Sequence, residues 1–133
     1  MPLVHLVIGL ALVEFFLFGW AVARARARFG VAAPATTGHE VFERYFRVQM
    51  NTLEQLIVFV PSIVLFARYV NAYAAAALGT VFVIGRALYF TGYVRSAQGR
   101  HLGFMLSALP NVTLLIGAII GALVALGALG ARG

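Results

Sequence analysis

Four long apolar runs, separated by short polar stretches, organise this chain. The first, Leu3 to Ala23, contains one charged residue, Glu14. It is long enough to cross a bilayer, which takes ~20 residues in a helix. Arg24, Arg26 and Arg28 follow at once, and then Gly30 to His39, rich in Gly, Ala, Thr and Pro, reads as a loop. A second helix is expected from about Glu40 to Tyr69, capped by Thr36, Thr37 or Gly38 and carrying Glu40 and Glu43 in its first turns. Its first part, EVFERYFRVQMNTLEQ, is polar, and its second part, Leu56 to Ala67, is apolar with Pro61 inside. A short turn, Arg68 to Tyr73, leads to a third span from about Ala74 to Val94, interrupted by Arg86. Arg95 to Gly103 is the next polar loop, and the fourth span covers about Phe104 to Leu129, with Pro110 inside. Gly117 and Gly121 form a small-xxx-small pair of the kind that lets helices approach closely in lipid. The pattern predicts an all-α integral membrane protein, with one domain over residues 1–133 built as a four-transmembrane-helix bundle.

Composition agrees. The chain is 62% hydrophobic and 11% charged, whereas a soluble domain is about half apolar and about a quarter charged. A chain this short has too little interior to hide that much apolar surface from water. There is no cysteine, so disulfides, thiolate metal sites and a protein-borne thiol nucleophile are excluded. Any thiol chemistry here needs a thiol brought by a ligand. His5, His39 and His101 are scattered without metal-ligand spacing, so no metal is expected. There is also no aspartate for a Ser-His-Asp set.

The net charge is +6, and every basic residue is arginine. The arginines flank or interrupt apolar runs and form no separate basic domain, which argues against nucleic acid. Anionic headgroups of membrane lipid, or an anionic ligand at the membrane surface, fit better. Loops one and three share a side of the membrane and have Arg24, Arg26, Arg28, Arg44, Arg47, Arg95 and Arg100 in or near them, against Arg68 and Arg132 opposite. The positive-inside rule then places those loops in the cytoplasm and both termini outside. A cysteine-free, arginine-only chain with short loops has bacterial character, so the bacterial inner membrane is the expected location.

Two polar stripes carry the candidate chemistry. Arg47, Asn51 and Glu54 are four and seven residues apart, which puts a cation, an amide and a carboxylate on one face of helix two. Arg44 lies near that face, and Gln49 points nearly the opposite way. Such a stripe suits a zwitterionic polar ligand, or else an Arg47–Glu54 pair that neutralises itself between helices. On helix three Arg86, Tyr89 and Tyr93 share a face, with Arg100 in the loop beyond. An arginine inside a span is costly and faces a partner or a water-filled cavity. The tyrosines also have an ordinary reading as interfacial belt residues. Glu14 is a lone carboxylate in helix one. It is either a proton or cation site, or a group paired with an arginine or protonated within the bundle.

At these same residues the sequence resembles the membrane-associated proteins in eicosanoid and glutathione metabolism (MAPEG). FERYFRVQMNTLEQ, Phe42 to Gln55, is similar to that family's helix-two signature, and GRALYFTGYVRSAQGR, Gly85 to Arg100, to the end of its helix three and the following loop. The resemblance implies a homotrimer of the microsomal glutathione transferase type, binding glutathione between subunits near the cytoplasmic face. It implies glutathione contacts at Arg47, Asn51, Glu54, Tyr89 and Tyr93, with Gln49 and Arg26 supplied by the neighbouring subunit. It also implies that Arg100 is the catalytic group that activates the thiol. The implied co-substrate is a lipophilic electrophile or a lipid hydroperoxide. Gln55 departs from the leukotriene-synthesising branch, which has tyrosine there, so leukotriene synthesis is not implied. Two other readings stand beside this one: a non-catalytic membrane protein that binds lipid or glutathione, and a small cation exporter using Glu14.

Overall fold

A computed structural model describes all residues from Met1 to Gly133. Four helices follow one another: α1 over Pro2–Phe29, α2 over Glu40–Tyr69, α3 over Ala72–Arg95 and α4 over His101–Arg132. A short 3-10 turn, Ala97–Arg100, leads into α4. All four stretches are long and apolar enough to cross a membrane. No strand is present.

α1 and α4 extend past their apolar runs, because a helix continues into polar sequence until something stops it. α1 runs through Arg24, Arg26 and Arg28 and stops at Gly30, whose φ of 70° closes the helix in the left-handed region that glycine adopts freely. The cap of α2 is none of the three residues expected. It is His39, whose Nδ1 accepts a hydrogen bond from the Val41 N–H at 3.1 Å and whose ring stacks on Phe29 at 4.3 Å. That stack ties the end of α1 to the start of α2, and Val22, Ala25, Val31 and Phe42 pack beneath it. Asn71 caps α3 by accepting from the Ala74 N–H at 2.9 Å.

Loop three is much shorter than its polar sequence suggests. Ser96 ends α3 and its Oγ accepts from the Gly99 N–H at 3.1 Å, so the chain turns within five residues, Ser96 to Arg100, and α4 starts at His101 instead of near Phe104. The turn is this tight because the backbones of Gly92 and Gly99 touch and leave no room for a side chain at either. Further along the same crossing, a side chain at Gly103 would overlap the backbone of Leu88 and Tyr89, and one at Gly85 the backbone of Leu106 and Ser107. Gly92 and Gly99 thus close α3 on the turn, and Gly85 and Gly103 bring α3 and α4 together backbone to backbone. Gly117 and Gly121 also pack within the chain, against Phe66 and against Tyr69 and Val70 at the end of α2.

The main core joins all four helices: Val4, Val7 and Ala11 of α1, Leu56, Phe59 and Ile63 of α2, Ala75 and Phe82 of α3, and Leu114 of α4. Phe59 and Phe82 stack at its centre, 4.0 Å apart. Only 28 of 133 residues are buried, and exposed Leu, Ile, Val and Phe side chains cover the outside of every helix. Such a surface is stable in lipid, where apolar side chains need no burial.

Candidate functional site

The polar residues of α2 and α3 meet around Arg86. This arginine has no exposed surface. Its Nη2 donates to Asn51 Oδ1 of α2 at 2.8 Å, and its Nη1 donates to Ser107 Oγ of α4 at 3.1 Å. Ser107 in turn donates to the Gly103 carbonyl at 2.9 Å. The guanidinium lies 4.2 Å from the centre of the Tyr89 ring, one helical turn further along α3. Arg86 therefore ties α3 to α2 and to α4, and rests against Tyr89 of its own helix. The close approach at Gly85 brings Ser107 within reach, so the glycine crossing and the polar hub depend on one another.

From this hub the site opens toward the turn after α3. Tyr89 and Tyr93 lie with ring centres 5.5 Å apart, and the Arg100 guanidinium stands 5.6 Å from the Tyr93 ring. Tyr89 is within electrostatic range of both Arg47 and Arg100. Arg47 and Tyr93 line a polar cavity of about 270 Å³ with Glu40, Glu43 and Arg44. Arg44 braces its wall, pairing with Glu40 at 3.2 Å and donating to the Val94 carbonyl at 3.3 Å. Arg100 reaches the same face as Tyr93 because the turn folds back after Ser96, not because α3 continues.

Arg44–Glu40 is the only ion pair in the protein. Arg47 and Glu54 are both exposed and unpaired, so the self-neutralising stripe does not form. Their face instead presents a free cation and a free carboxylate with Asn51 between them.

Two of the expected residues stand apart from this face. Gln49 lies over Gly19 of α1, and a Cβ on that glycine would come within 2.9 Å of its Nε2. Arg26 donates to the Ala35 carbonyl at 2.6 Å and stacks over Phe42 at 4.8 Å, at the edge of loop one. Within one chain, neither joins the Arg47, Tyr93 and Arg100 grouping.

Sequence reasoning placed Arg86 on the right face of helix three but gave it no place in the site. Its partner Ser107 is an ordinary-looking serine in α4, visible only once Gly85 and Gly103 are seen to close the crossing. Gln55, the departure in the helix-two motif, also has a structural task. Its Oε1 and its backbone carbonyl accept from Asn111 Nδ2 at 2.8 and 3.1 Å, clamping α2 to α4. Glu14 has one carboxylate oxygen buried without a hydrogen-bond partner. It lies within electrostatic range of Arg86 but outside ion-pair distance.

The sequence matches the model of the MAPEG family over residues 4–120. The chain belongs to the MAPEG family. It is 47% identical to an uncharacterized protein of Synechocystis, across 89% of this chain and 86% of that protein. It is 43% identical to microsomal glutathione S-transferase 2 of Mus musculus, across 78% of this chain and 71% of that protein. To leukotriene C4 synthase of Cavia porcellus it is 39% identical, across 80% of this chain and 71% of that protein. As a MAPEG member with four apolar helices, it is an integral membrane protein.

Proposed function

We propose that the protein is a membrane-bound glutathione transferase that raises the thiolate form of glutathione against lipophilic electrophiles, and that reduces lipid hydroperoxides with the same thiolate. The observation that carries this reading is the position of Arg100 over Tyr93, beside a polar cavity that Arg47 also lines. Membership of a family whose similar members include named glutathione transferases supports it.

Glutathione has two carboxylates, one ammonium and one thiol. Arg47 takes one carboxylate and Arg26 of a neighbouring subunit the other, Glu54 takes the ammonium, and Asn51, Tyr89 and Tyr93 hold the peptide. Gln49 also serves the neighbouring site. The positions of Arg26 and Gln49, away from Arg47 in their own chain, support this division. The thiol then faces Arg100, whose charge favours the thiolate. Lowering a thiol pKa by ~2 units takes only about 2.7 kcal/mol of differential stabilisation. In conjugation the thiolate sulfur attacks an electrophilic carbon and forms a thioether while the leaving group departs with its electron pair. In peroxide reduction two glutathiones become a disulfide, and the hydroperoxide becomes an alcohol and water. Loops one and three lie in the cytoplasm, and the co-substrate arrives sideways from lipid. An exporter built on Glu14 would leave the two motif segments, Phe42 to Gln55 and Gly85 to Arg100, without a role.

Calorimetry with purified protein in mild detergent tests the binding face. Glu54→Gln and Arg47→Ala should each weaken glutathione tenfold or more, since truncating one member of a desolvated charge contact commonly costs 2–5 kcal/mol. Unchanged affinity in both would sink the assignment. A parallel screen with a halogenated aromatic and a lipid hydroperoxide reads which reaction dominates, and no turnover of either by glutathione-bound protein would reduce it to a binding protein.

A further inference from the structure

Arg24 and Arg28 lie one turn apart on α1, on the side roughly opposite Arg26. They line a cavity of about 350 Å³ with Trp20, Phe29, Tyr45 and Phe90. Its aromatic wall is built in advance. Phe90 stacks on Phe18 at 4.9 Å and meets the edge of Tyr45 at 5.6 Å. The Arg24 guanidinium lies 4.9 Å from the Trp20 ring centre, and that of Arg28 5.2 Å from Phe29. Neither arginine has a carboxylate partner. Two like charges one turn apart repel each other, and an anion between them removes that cost.

The depth of the cavity indicates what kind of anion fits. Arg24 directly follows the apolar run of α1, so both guanidiniums stand where hydrocarbon gives way to headgroups. From there into the bilayer, α1 exposes Trp20 (57%), Phe16 (74%), Leu17 and Val13 along one face. A charged mouth at headgroup depth, an aromatic wall and an apolar track leading inward match one amphiphile end to end. We propose that this groove, walled by α1 with Tyr45 of α2 and Phe90 of α3, binds one anionic phospholipid. Its phosphate bridges Arg24 and Arg28, its glycerol rests on Trp20 and Tyr45, and an acyl chain runs along Phe16 and Val13. Basic pockets between membrane helices are suited to such headgroups. A zwitterionic lipid carries an ammonium that the two arginines repel. The groove shares no residue with the glutathione site, so the two stand or fall separately.

Native mass spectrometry of the protein in mild detergent, titrated with phosphatidylglycerol or phosphatidylcholine, tests this. The first phosphatidylglycerol per chain should bind at least tenfold more tightly than phosphatidylcholine. The Arg24→Gln/Arg28→Gln double variant should lose that preference, and Arg24→Lys/Arg28→Lys should keep most of it. Glutathione affinity, measured on the same samples, should match wild type in both variants and shows that they are folded. Equal binding of the two lipids, or a glutamine variant that keeps the preference, would overturn the site. So would loss of the preference in the lysine variant. Displacement of the lipid by inorganic phosphate alone would make it a soluble-anion site instead. A glutathione affinity that falls with the lipid preference would assign the arginines to the glutathione site and end the proposal.

Discussion

Arg86 is the residue on which the candidate site turns, although it touches no solvent. Without it Asn51 loses its donor, Ser107 loses the N–H that its Oγ accepts, and Tyr89 loses the cation over its ring. Replacing it with methionine keeps much of the volume and removes all three. A buried polar group left unsatisfied costs about 1–3 kcal/mol, so Arg86→Met should lower the melting temperature in detergent. As a positioning residue it should also weaken glutathione binding through Asn51 and Tyr89, which a purely structural arginine would not do. Unchanged affinity in a folded Arg86→Met would limit Arg86 to stability. Arg100 is the opposite case, an exposed residue whose proposed role is electrostatic. On that proposal its charge lowers the pKa of the bound thiol, so Arg100→Ala should raise that pKa toward the free-thiol value, about 8.5 for cysteine. At neutral pH the thiolate fraction falls, and conjugation should drop roughly ten- to a hundredfold for a shift of one to two units. Raising the pH restores the thiolate, so activity should recover in the variant while binding stays near wild type. Arg100→Lys should be intermediate, because it keeps a point charge without the planar fork. Coincident pH–rate profiles for wild type and Arg100→Ala would move thiol activation to another group, with Tyr93 next.

Among the elements, the α3–α4 crossing sets the site's geometry, and its glycines can be tested against glycines that touch nothing. Gly103→Ala pushes a methyl into the backbone of Leu88 and Tyr89. That overlap should cost about 1–3 kcal/mol and shift Arg100 relative to Tyr93, lowering turnover as well as stability. Gly127, on the same helix, has nothing within 4 Å of a Cβ. There alanine should stabilise by up to about 1 kcal/mol through helix propensity. Equal melting temperatures for the two variants would contradict the close crossing. This crossing also marks the limit of what the sequence made legible. The four spans could be read because lipid demands long uninterrupted apolar helices, and the Arg47–Asn51–Glu54 face followed from helical periodicity alone. Loop three could not be sized, because its polar residues look the same in an open loop and in a 3-10 turn, and the Gly92–Gly99 contact that decides between them joins two helices. The His39 cap was passed over for a similar reason: histidine is an uncommon cap, and the Phe29 stack that orients it comes from the preceding helix. Arg86 was legible as a costly residue in need of partners, but Asn51 and Ser107 lie 35 and 21 residues away, and only packing chooses them.

At the scale of the whole molecule, one chain does not complete its own polar face. Arg47 and Glu54 project from a membrane helix without a partner, and Asn51 stands between them with only its oxygen engaged. Unpaired charges on a membrane-spanning helix face a bundle interior, a cavity or a neighbouring protein rather than lipid tails. Arg26 and Gln49, the remaining residues implied for the same ligand, sit elsewhere on the chain. A second copy supplying them covers the stripe, and if the contact is head-to-tail, repetition around an axis closes a ring. We therefore expect a homotrimer, and native mass spectrometry from mild detergent should show three chains as the dominant species. In such an assembly each proposed site is shared between subunits, so ligand binding and assembly should be linked. Glutathione at about a hundred times its Kd should stabilise the assembly by about 2.7 kcal/mol per site, seen as fewer monomers when detergent is raised. Arg26→Ala should weaken glutathione without disturbing the Arg47 face of its own chain. Mixing Arg26→Ala with Arg47→Ala subunits should then regenerate some intact sites, because in a ring an intact Arg47 face can meet a neighbour that still carries Arg26. If the mixture binds no better than either variant alone, both residues serve a site within one chain. A stable monomer that binds glutathione with wild-type affinity would lead to the same conclusion, and the stripe on α2 would then be closed by the ligand alone.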